Sequence, residues 1–111
     1  MRGYITLIIS SIAFLCYSQV SVIHFNSSWN AENSIDISEL KDCKKESVLI
    51  CHNEDLKDKY NIKSVPTIVI LDEGAEVTRF EANIMMELNV TRKDIQKQID
   101  KIYLAKFEWW E

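Results

Sequence analysis

The sequence predicts an α/β fold of three layers, in which a mixed central β-sheet is flanked by helices on both faces. Three observations predict it. Short β-branched runs alternate with helical segments along the chain. The first two runs are separated by enough residues for a crossover, which makes them parallel neighbours. A tight turn at Asp72-Glu73-Gly74-Ala75 joins the last two, which makes them antiparallel. A sheet of both senses, with helices left over for its two faces, follows.

The elements read in order as follows. Residues 20–25, VSVIHF, form an apolar run without clean alternation, as in a strand covered on both faces. Residues 27–33 are polar and turn-like, with Trp29 at their centre. Ile35, Ile37 and Leu40 suggest a short helix ending near Lys44. Residues 47–51, SVLIC, read as a second buried strand. Asn53 is a good N-cap for a helix over 54–60, and Asn61 tolerates the left-handed conformation that ends helices. Residues 67–71, TIVIL, form a third strand, and Gly74 can take the positive φ of the turn that follows. The returning strand, 76–82, puts Val77, Arg79 and Glu81 on one face and Thr78 and Phe80 on the other. The last helix spans 92–107. Thr91 and Asp94 resemble a capping box with a shorter acid. Ile95, Ile99 and Ile102 share one face, and Lys93, Lys97 and Lys101 lie on a solvated one.

The chain has 111 residues, 47% hydrophobic and 27% charged, which suits one globular domain. Its net charge of -4 gives no electrostatic footprint for nucleic acid. Two glycines and one proline argue against long linkers. Residues 1–18 have two readings. The uncharged run ITLIISSIAFLC over 5–16 follows Arg2, and a cut before Gln19 would leave Cys16 and Ser18 at the small-residue positions of a secretory signal peptide. The competing reading is a strand over 4–9 and a short helix over 10–18. The run is too short for a membrane-spanning helix, so no integral membrane segment is expected. The secretory route is preferred, and the strand–helix reading implies an intracellular chain. Two N-x-S/T triplets, at Asn26 and Asn89, matter only on a eukaryotic secretory route. The main domain is assigned to 19–107, with an aromatic tail at 108–111.

The cysteines are Cys16, Cys43 and Cys51, with no C-x-x-C pair and no zinc spacing. No metal and no cofactor are expected. The His52-Asn53-Glu54 run lacks metal-site spacing, and Ser27 and Ser28 lack the elbow and acid partner of a serine nucleophile.

The stretch NEDLKDKYNIKSVPTIVILDEGAEVTRFEA, from Asn53 onward, resembles the C-terminal half of the thioredoxin family. Its S-V-P-T piece at Ser64 to Thr67 matches the family's signature loop, which implies that the bond before Pro66 is cis. Upstream, VIHFNSSWNAEN matches the segment that carries the family's redox site, with Trp29 at the tryptophan before the first active cysteine. The resemblance spans roughly 20–102. It implies that Asn30 and Asn33 stand at both active-cysteine positions and that His24 replaces the buried acid. The usual Gly-Pro between the cysteines is Ala31-Glu32. Family chemistry needs a low-pKa thiolate to attack a disulfide and a second thiol to resolve the product. Asparagine amides supply neither, so Trp29, Asn30, Asn33 and His24 read as vestigial positions with no catalytic residue among them.

On the topology implied, Cys51 lies at the Trp29 edge of the sheet and Cys43 toward the other. They would be separated by about 13 Å, four strand residues, which exceeds disulfide reach. Both are expected as free thiols. In active relatives the residue before the cis-proline pairs with an extended peptide. Trp29, Val65, Pro66 and the 84–86 loop are therefore expected to form a patch for a partner, and His24 is expected as a core histidine. Trp109 and Trp110 suggest a second protein contact. The expected function is a redox-inactive protein-binding or structural module, either a chaperone-like accessory domain or a component of a larger assembly, a viral particle included. The alternative is a divergent thiol–disulfide oxidoreductase using Cys51 or a partner's thiol.

Overall fold

A computed structural model describes residues 19–110 of the chain. Both readings of residues 1–18, and with them Cys16, lie outside the described residues. Strand β1 (Val20–Asn26) pairs in parallel with β2 (Lys44–Leu49) and antiparallel with β3 (Thr67–Asp72), and β3 pairs antiparallel with β4 (Ala75–Glu81). The order β2-β1-β3-β4 makes the expected mixed sheet.

Side chains alternate across β1, so its apolar run feeds two cores. On one face Val20 and Val22 pack with Ile68 and Ile70 of β3 and with Ile95 and Ile99 of helix α2 (Arg92–Trp110). On the other, Ile23 and Phe25 pack with Val48, Val69 and Leu71. Leu56 of helix α1 (Glu54–Lys59), and Tyr60 just beyond it, close that side. Burying each large aliphatic side chain contributes roughly 1.5–3 kcal/mol. The two cores therefore hold one helix on each face. The β3–β4 turn has Glu73 at φ 54° and Gly74 at φ 85°, the two positive values of a primed hairpin turn. Asn61 ends α1 at φ 52°, as expected.

Five local expectations are corrected. No helix forms over 35–44. The Asp36 carboxylate accepts the Ser38 N–H at 2.9 Å, a local bond that competes with helical pairing. The Ile35 N–H goes to His24, and the Lys41 N–H goes to Gln96 Oε1 at 2.8 Å. Ile37 and Leu40 still reach the core from this non-helical path. Strand β2 starts and stops earlier than 47–51, and Cys51 falls in the 3-10 turn Ile50–His52 that follows it. Asn53 makes no capping bond; its amide instead donates to the Leu49 carbonyl at 2.9 Å. The β3–β4 register shifts between Ile70 and Leu71, which pair with Thr78 and Glu76. Val77 is the extra residue of a bulge, and Glu76 joins Arg79 on one face, where they form an ion pair at 2.6 Å. Finally, α2 continues to Trp110, so Trp109 and Trp110 belong to its last turn and do not follow it.

The α2 start agrees with the capping-box reading. Asp94 accepts the Thr91 N–H at 2.8 Å, and Thr91 Oγ1 accepts the Asp94 N–H at 3.3 Å.

Candidate functional site

At the C-terminal end of β1 the chain enters a 3-10 turn, Ser28–Asn33, broken at Asn30 by φ -115° and ψ 22°. This turn faces the cis Val65-Pro66 bond and the 83–87 loop, and Asn30 joins all three. Its buried Nδ2 lies 3.2 Å from the Val65 carbonyl, 3.3 Å from the Met86 carbonyl and 3.3 Å from Asn26 Oδ1. Two protons are thus shared among three acceptors. Asn33 Nδ2 donates to Asn30 Oδ1 at 2.8 Å. Asn26 Nδ2 donates to the Asn30 carbonyl at 3.0 Å and to Ser34 Oγ at 2.7 Å. The network is built from neutral amides and hydroxyls.

The 83–87 loop is held by Asn83, whose Oδ1 accepts the N–H groups of Met85 and Glu87 at 2.9 and 3.1 Å. It presents Ile84 and Met85 to solvent, 95% and 68% exposed, and Trp29 is 68% exposed. Val65 and Pro66 are buried, so they contribute backbone and packing while Trp29, Ile84 and Met85 supply the exposed apolar area. Trp29, Met86, Val65, Ile62, Ile50 and Cys51 help line a groove of about 290 Å³.

Cys51 opens onto that groove and is exposed. Its Sγ lies 3.6 Å from Ser28 Oγ, and hydrogen bonds from the Ser28 backbone and hydroxyl hold the thiol below its ordinary value. Cys43 is half-buried, and burial pushes its thiol up. Both are free thiols, as expected.

His24 sits in mid-β1, paired with Ser47 and Ile68, and is buried. Its Nε2 accepts the Ile35 N–H at 3.4 Å, and burial lowers its pKa below 6.5. It anchors the segment that crosses this end of the sheet. His52 is exposed. The structure therefore brings Trp29, Asn30, Asn33 and Val65-Pro66 together and sets His24 behind them. Trp109 and Trp110 lie in the last turn of α2.

Four participants are not singled out by the sequence reading. Asn26 and Ser28 enter it as the ends of an N-x-S/T triplet, Ser28 also as a rejected nucleophile, and Ser34 and Asn83 do not enter it. The placement of Asn26 at the end of a buried strand was the available signal, because a buried amide there needs partners.

No family model and no curated protein matches the chain. Solved structures do. Thioredoxin-2, a component of malaria parasite protein secretion machinery, superposes with a TM-score of 0.61 at 25% identity, covering 76% of this chain and 84% of its own. Schistosoma mansoni thioredoxin gives a TM-score of 0.58 at 19% identity, over 84% of this chain and 85% of its own. A Halobacterium salinarum thioredoxin gives 0.58 at 17% identity, over 75% and 74%. Sheet order and these overlaps agree on one architecture, and the chain has a thioredoxin-like fold.

Proposed function

We propose that the chain is a redox-inactive, thioredoxin-like protein-binding module, working by contact with another protein. The observation that carries this reading is the state of Asn30. A redox site in this fold needs a thiolate free to attack, and the sequence holds no C-x-x-C pair. The Asn30 amide is instead buried and committed to the Val65 and Met86 carbonyls, so it ties loops together. Beside it, Trp29, Ile84 and Met85 expose apolar surface to solvent.

A pull-down from the source lysate, comparing wild type with Trp29→Ala and with Trp109→Ala/Trp110→Ala, tests the reading. A specific partner lost in either variant, with the fold retained by circular dichroism, supports it. Equal capture by all three proteins counts against both surfaces. A second test restores the cysteines. Folded Asn30→Cys/Asn33→Cys protein should gain disulfide exchange if the groove still accepts a peptide.

One observation favours a second reading, a thiol–disulfide oxidoreductase acting through Cys51. That thiol is exposed, lowered by Ser28 and lies in the Trp29 groove. Its sulfur would attack a partner disulfide, and the partner would have to supply the resolving thiol.

A further inference from the structure

The two triplets, Asn26-Ser27-Ser28 and Asn89-Val90-Thr91, both satisfy N-x-S/T and are opposite in the fold. Asn26 is 1% exposed, and both ends of its amide are used, donating to the Asn30 carbonyl and Ser34 Oγ and accepting from Asn30. A glycan on that nitrogen would have to pass through packed protein. Asn89 is exposed on the 82–91 connection between β4 and α2. Its neighbours Leu88 and Val90 pack inward against the α2 core while Asn89 faces solvent. The Thr91 that completes its triplet is also exposed.

We propose that Asn89 is an N-glycan acceptor and that Asn26 is not, residues 5–16 directing the chain into a eukaryotic secretory lumen. The glycan comes from a polyprenyl-pyrophosphate carrier. The bond between sugar C1 and the carrier phosphate breaks, and a bond from C1 to Asn89 Nδ2 forms. The amide gives up one proton, and the lipid pyrophosphate leaves. The glycan then projects from the 82–91 connection without displacing Leu88 or Val90. This inference is independent of the binding reading.

The test is secretion of the full chain from cultured insect cells, with intact mass read before and after peptide-N-glycosidase treatment. Folded, secreted wild type should carry one glycan. Asn89→Gln should lose it, and Ser28→Ala, which destroys the first triplet without touching Asn26, should keep it. Secreted protein without a glycan, a glycan that survives Asn89→Gln, or a chain retained unmodified in the cytosol would each overturn the proposal.

Discussion

The Asn30 amide is a buried polar group with three acceptors within 3.3 Å, and its energetics follow from what is left behind when it goes. An Asn30→Leu side chain keeps the heavy-atom branching of the amide but strands the Val65 and Met86 carbonyls. Leaving the buried Val65 acceptor unpaired costs about 1–3 kcal/mol, which a urea titration of wild type against variant should read as a lower midpoint at unchanged slope. His24 makes a pH prediction. Burial favours its neutral imidazole, so its folded pKa lies below the 6.5 of the unfolded chain. Between those values the unfolded chain binds more protons, and stability falls as pH drops from 7 toward 5. Thermal midpoints across that range should decline in wild type and flatten in His24→Phe. The residue scale was the least legible in sequence. That positions 30 and 33 carry amides was readable, but the bond from Asn30 to Met86 spans 56 residues and exists only once three loops meet.

Elements were legible where burial alone dictates them. The run TIVIL has no polar interruption and becomes β3, buried from Thr67 through Leu71. The Ile95 and Ile99 stripe becomes the buried face of α2. The failure at 35–44 has a definite cause. Apolar residues there suit a helix, but the Asp36–Ser38 turn and the bonds to His24 and Gln96 take the N–H groups a helix would need. The bulge at Val77 was hidden because alternation counts residues and cannot register an extra one. α2 depends on its packed half. Ile99 is fully buried between β1, β3 and the 35–40 segment, so Ile99→Ala should cost about 2–5 kcal/mol, measured by urea denaturation. A loss under 1 kcal/mol would mean the face is less tightly packed than described.

Across the whole molecule, a four-stranded sheet carries one helix on each face and gathers three loops at one edge. That edge combines a cis Val65-Pro66 bond, a saturated amide network and an exposed apolar rim. The only thiol among the described residues that opens onto it is Cys51, and Cys43 is half-buried with its thiol pushed up. The central claim is that this edge binds and does not exchange disulfides. The direct measurement is reduction of insulin disulfides by dithiothreitol in the presence of catalytic amounts of the protein, for wild type and Cys51→Ser. The account predicts that neither protein accelerates turbidity over the reductant alone. Acceleration by wild type that disappears in Cys51→Ser would contradict it and assign the edge to an enzyme.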